Sequence, residues 1–126
     1  MSVHERIAGT LVLPLLSNSR FYEALDDFGP THGAAMIAMV ERDARRRLET
    51  LEASILRSEL AAIRATANGL AGLLSHFGYL RAAHLARIIE ASPINAALMQ
   101  RELVRICERS FSLAVGRFRE KHGHPG

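Results

Sequence analysis

"ATANGLAGLLSHFG", residues 65–78, sets large apolar residues against very small ones and carries one bare amide, Asn68. Leu70, Leu74 and Phe77 follow Ala67 at spacings of 3, 4 and 3, and Ile63 and Leu60 continue the stripe upstream. That is the period of a helix with one buried face. Gly69 and Gly72 lie inside it, and a glycine in a helix interior costs up to ~1 kcal/mol relative to alanine. Such a helix needs something that approaches its backbone closely, either a neighbouring helix or a partner protein.

The same period runs outward in both directions. Ile37, Val40, Ala44, Leu48, Leu51 and Ile55 recur at 3, 4, 4, 3 and 4, which predicts a long helix over roughly 33 to 56. "SNSRFYEALDDFGP" predicts a shorter one over roughly 19 to 28, with Ser or Asn as cap and Gly29-Pro30 as stop. Ser58 is expected to cap the helix that contains the opening stretch, and Gly78 to end it. "YLRAAHLARIIEAS" adds a helix with Leu80, Leu85, Ile88 and Ile89 inward. Ser92-Pro93 then starts a last helix reaching roughly 118, with Met99, Leu103, Ile106 and Leu113 in its stripe. Residues 1–18, interrupted by Pro14, are an extended or helical lead-in, and 119–126 a polar tail. Short connections make consecutive helices antiparallel neighbours. The expected fold is all-α, an up-down antiparallel four-helix bundle over 19–118 with a short extra N-terminal helix.

Composition agrees with helix. Of 126 residues, 48% are hydrophobic but only 6% aromatic, and there is no Trp, so the core is aliphatic. Cys107 is the single cysteine, which excludes an internal disulfide and a multi-thiolate metal site, and fits a reducing, cytoplasmic compartment. It reads as a small buried apolar residue. No apolar run approaches the ~20 residues of a membrane span. "IAGTLVLPLL" imitates the apolar part of a signal peptide, but one basic residue precedes it and no A-x-A site follows. The net charge of +3 comes almost wholly from arginine, with Lys121 the sole lysine. Glu41–Arg45, Asp43–Arg47 and Arg45–Glu49 are i,i+4 pairs of opposite charge. Arg42, Arg45, Arg46 and Arg47 therefore read as a solvated, salt-bridged face rather than a nucleic-acid stripe.

"ANGLAGLLSHFGY" resembles the active helix of histidine-containing phosphotransfer (HPt) domains, whose pattern is A-H-x-L-K-G, five residues, then G. Ala67, Leu70, Gly72 and Gly78 stand in register. "MIAMVERDARRRLETLEASILRSELAAIRATA" is similar to the family's preceding helix and link, and "YLRAAHLARIIE" to its next helix. The resemblance spans roughly 20 to 115. It implies a phosphorelay module that docks on a response-regulator receiver domain or a histidine kinase. Two positions depart from the pattern. Asn68 stands where the family has its phospho-accepting His, and Ala71 where it has the Lys that helps hold the phosphoryl group. An amide nitrogen has a delocalised lone pair and cannot replace a nucleophilic imidazole. The chain is thus expected to be no enzyme and to have no catalytic residue. It is expected to bind a partner through Arg64, Asn68, Ala71, Gly72, Ser75 and His76.

Two other readings follow from the residues. One is a phosphocarrier using another His, with His76 nearest in face and His84 on the next helix. The other is a basic nucleic-acid-binding bundle. His4, His32, His122 and His124 have no partner motif, and His122-x-His124 lacks a third metal ligand. No nucleotide, hydrolase or metalloprotease motif occurs. No cofactor, no metal, no nucleic acid and no membrane are expected, and the chain is expected to be a monomer or weak homo-oligomer.

Overall fold

The computed structural model describes residues 2–122, so His124 lies outside it. Five α-helices follow in order: α1 (Val3–Thr10), α2 (Asn18–Leu56), α3 (Leu60–His76), α4 (Leu80–Ala91) and α5 (Ala96–His122). A 3₁₀ turn, Pro93–Asn95, precedes α5. No strand occurs among the described residues.

Each helix end has a local cause. Ser2 caps α1 by accepting from the Glu5 N–H, and Ser17 caps α2 by accepting from that of Arg20. Gly29 breaks α2 into two arms: its φ of 77° and ψ of 165° are open only to glycine, and Pro30 then starts the second arm at its favoured position. The long helix thus begins a few residues earlier than the periodicity predicts. At the end of α3, Gly78 (φ 90°) lets its N–H reach the Ser75 carbonyl while Tyr79 N–H reaches Leu74, a Schellman closure. Ser58 plays the same part after α2. Its φ is 53°, its N–H reaches Ile55, and Glu59 N–H reaches Ser54. The expected cap of α3 is therefore the stop of α2, and α3 starts at Glu59 without a side-chain cap. Ser92 likewise makes no cap bond, because the chain first tightens into the 3₁₀ turn.

The helices pack through the expected stripes. Val40, Ala44 and Leu51 of α2, Ile63, Ala67, Leu70 and Leu74 of α3, Leu85, Ile88 and Ile89 of α4, and Met99, Leu103 and Ile106 of α5 are all buried. Ile55, Leu80 and Leu113 are only half-buried, and Leu60 is exposed on the first turn of α3. α3 packs on both α2 and α4, and α5 on both α2 and α4. α4 runs back along α3, and α5 back along α2, where Lys121 meets Asp26 at one end and Glu108 meets Arg45 further along. α5 continues past the expected end to His122, because Phe118 fills the space above Gly33 and Lys121 lies over the Tyr22 ring at 4.7 Å.

The lead-in is also placed. α1 lies on α4, with Thr10 Oγ1 2.7 Å from His84 Nδ1 and Arg6 reaching Ser92. Its linker carbonyls at Leu13 and Pro14 accept from Arg81. No helix among the described residues is long and apolar enough to cross a membrane.

Candidate functional site

The solvent face of α3 is bare of bulk. Ala61, Ala65, Asn68 and Gly72 are exposed in succession, flanked by Arg64 and, near the C-terminal end, His76. The spacings of 4, 3 and 4 put the first four on one stripe, opposite the core residues of the same helix.

The two internal glycines have different surroundings. A β-carbon on Gly69 would collide with the guanidinium of Arg47, which α2 lays against α3 at that point. Arg47 sits beside Asp43 at 3.6 Å, and its Nε is buried without a hydrogen-bond partner. The neighbour of Gly69 is thus the far end of a flexible side chain. Gly72 has no such neighbour: nothing lies within 4 Å of where its β-carbon would stand, as at Gly9 of α1 and Gly116 of α5.

Asn68 is fixed from α4. Its side-chain amide donates to a carboxylate oxygen of Glu90, and the neighbouring Arg64 Nε donates to the Glu90 backbone carbonyl at 3.3 Å. That carbonyl belongs to the last turn of α4, where helical partners run out. One residue of α4 therefore holds both polar side chains of the α3 face. It also places a negative charge beside the Asn68 amide.

The six expected partner-binding residues do not form one patch. Arg64, Asn68 and Gly72 do. Ser75 is half-buried, and its backbone carbonyl accepts from Arg20 at 3.3 Å. Ala71 is fully buried, so its place on the docking face is corrected. Ala82, Ala83 and Ala86 of α4, a helix that packs on α3, are buried as well. His76 is separate too. It lines a cleft of ≈ 330 Å³ with Arg20, Glu23, Ala24 and Asp27 from the first arm of α2, and its ring stands edge-on to Phe77 at 4.8 Å.

Ala61 and Ala65 were not singled out from sequence, although the i−3 and i−4 steps from Asn68 and Ala65 mark them. Glu90 had no local signal, being 22 residues from Asn68.

The arginine face is largely neutralised. Arg45 binds Glu41 at 2.8 Å and turns to Glu108 of α5 in place of the expected Glu49, lying over the Phe111 ring at 5.3 Å. Hydrogen bonds to Glu108 and Glu41 push its pKa further up, so it stays charged. Arg42 and Arg46 line one shallow groove together with Glu41 and Glu49.

Cys107 is buried, and desolvation, reinforced by Glu108 and opposed by Arg45, pushes its thiol up to about 12. It is a packing residue without nucleophilic character at neutral pH. Among the described residues no group of three or more His, Cys, Asp or Glu side chains is placed to hold a metal ion. Compared with protein-family models, with curated proteins and with solved structures, the chain matches none.

Proposed function

We propose that the chain is a signalling module of the histidine-containing phosphotransfer type. In this reading α2–α5 form an up-down antiparallel four-helix bundle with α1 added. The module docks on a response-regulator receiver domain or a histidine kinase in the cytoplasm, as adaptor or modulator, without carrying phosphate. The observation that carries the reading is the bare stripe on α3: Gly72, exposed with open space where a β-carbon would stand, lies in line with the exposed Ala61, Ala65 and Asn68. A helix face built of Ala61, Ala65, Asn68 and Gly72 lets a partner's rim come down to the backbone.

Loss of phosphate transfer follows from the chemistry at residue 68. The amide is no nucleophile, and the Glu90 carboxylate bonded to it would repel a dianionic phosphoryl group. The alternative carrier, His76, shares its cleft with the carboxylates of Glu23 and Asp27 against the single guanidinium of Arg20, a balance that disfavours a phosphoryl group. A nucleic-acid role is disfavoured by the ion pairs that occupy Arg45 and Arg47.

The test is affinity capture from lysate of the source cell with wild type and Gly72→Glu side by side, read by mass spectrometry, with helicity checked by circular dichroism. Receiver domains or histidine kinases retained by wild type and lost by the variant are expected. Their absence from both, or equal retention by both, would overturn the reading.

A further inference from the structure

α1 and α4 enclose a groove between them. Glu5 and Gly9 of α1 are one helical turn apart, as are His84 and Ile88 of α4, and with Arg6 and Arg87 they line a space of ≈ 410 Å³. That size suits a small molecule, for which pockets run from about 300 to 1,000 Å³. Gly9 keeps the groove open, since nothing lies within 4 Å of where its β-carbon would stand.

The lining charges indicate the occupant. Arg6 gives one N–H to Ser92 Oγ at 3.4 Å and keeps the rest of its guanidinium fork. Arg87 is exposed, and among the described residues neither it nor Arg6 has an ion-pair partner. His84 turns Nδ1 to the buried Thr10 hydroxyl at 2.7 Å, which leaves Nε2 as the ring nitrogen open to a ligand. Against these groups the lining sets the carboxylate of Glu5, which pairs with neither arginine. Cations outweigh the acid here, the reverse of the cleft at His76, where Glu23 and Asp27 outweigh Arg20.

We infer that this groove binds a phosphoryl group, held between Arg6 of α1 and Arg87 of α4, with His84 Nε2 as a third contact. A carboxylate has two oxygens and is matched by one guanidinium fork. A phosphoryl group has three oxygens and close to two negative charges at neutral pH, and suits two guanidiniums and a further nitrogen. The bound group bridges the two helices. It adds to the Thr10–His84 and Arg6–Ser92 contacts in fastening α1 to the bundle, so that the ligand and the docked α1 stabilise each other. The site shares no residue with the α3 face and stands independently of the signalling role proposed above.

Amide chemical shifts followed by NMR test this, with inorganic phosphate and phenyl phosphate titrated separately at neutral pH and fixed ionic strength. In wild type, saturable shifts are expected along α1 and α4, together with slower hydrogen exchange of the α1 amides. Arg87→Gln is expected to weaken binding by about tenfold. Gly9→Leu fills the groove while leaving every charge in place, and is expected to abolish binding. Arg101→Gln, which removes an exposed arginine of α5, is expected to bind as wild type does. Gly9 and Arg87 are both exposed, and the amide spectra report directly that each variant keeps the fold. Tighter binding of phenyl phosphate would make the ligand a phosphate ester, whereas binding no tighter than that of inorganic phosphate would make it the free ion. The absence of saturable shifts with both compounds, or binding that Arg87→Gln and Gly9→Leu leave unchanged, would overturn the proposal.

Discussion

The side-chain amide of Asn68 on α3 donates to the carboxylate of Glu90 on α4, across the seam between the two helices. Changing Asn68 to Asp keeps the shape and sets two carboxylates against each other. Asn68→Asp is expected to lower stability by about 1 kcal/mol at neutral pH, and the loss should shrink as acid protonates the pair. Asn68→Ala should be nearly neutral, because the exposed hydrogen bond, about 1 kcal/mol, is offset by the better helix propensity of alanine. Urea titrations of the two variants at neutral and acid pH check this. Equal effects that ignore pH would deny the contact.

The two glycines of α3 should respond differently to alanine. Gly72 has open space around it, so Gly72→Ala is expected to stabilise by about 0.5–1 kcal/mol. At Gly69 the new methyl must displace the Arg47 guanidinium, the far end of a flexible side chain. There the propensity gain is expected to be largely cancelled, leaving a change below about 0.5 kcal/mol. Thermal melts compare the pair, and a destabilised Gly72→Ala would mean that something inside the chain does require that glycine.

Tyr79 is fully buried with its ring edge-on to Phe111, and its hydroxyl has no hydrogen-bond partner. An unpaired buried hydroxyl costs about 1–3 kcal/mol. Tyr79→Phe is thus expected to raise stability by about 1 kcal/mol, the reverse of the usual effect of a core substitution. A fall in the urea midpoint would place a partner on that hydroxyl.

Alkaline pH should unfold the protein through two buried acids. Burial pushes the Cys107 thiol from an ordinary 9.0 up to about 12, and burial, with Glu41 and Cys107 adding to it, raises the Tyr79 phenol above its ordinary 10.0. In the unfolded chain both groups release their protons at lower pH than in the folded one. Between the ordinary and the raised values the folded state holds more protons, so stability falls as pH rises. At neutral pH, well below the ordinary thiol value of 9.0, these groups contribute almost no slope. The urea midpoint, followed from neutral pH upward, is expected to be flat and then to decline, and Cys107 to resist thiol reagents until unfolding. A midpoint that stays level through the alkaline range would show that neither group is protected by burial.

Much of the fold is written in short-range pattern. The stripes through Val40 and Leu51, through Ile63 and Leu74, and through Met99 and Ile106 each predict a buried face, and each is buried, because a 3.6-residue period decides which side of a helix is apolar. Gly29, Pro30 and Gly78 stop or start helices through their own backbone preferences, which no distant contact is needed to express. Ser58 departs from the expected cap because a residue between two helices can serve either, and the left-handed turn that ends α2 takes it.

What surrounds an exposed side chain is a different matter. Helical period puts Ala71 four residues after Ala67 and three before Leu74, beside the apolar stripe, and Asn68 and Gly72 further round the helix. Ala71 is accordingly buried, but that Glu90 of α4 bonds Asn68 while Gly72 stays open is decided across helices. In the same way Arg45 had two acids within helical reach and took one of them together with Glu108, 63 residues away. The helices and their apolar faces were legible locally, because a helical stripe depends on residues three or four apart. The extension of α5 to His122 and the partner of Asn68 were not, because they depend on side chains from segments far apart in the chain, Phe118 against Gly33 and Glu90 against Asn68.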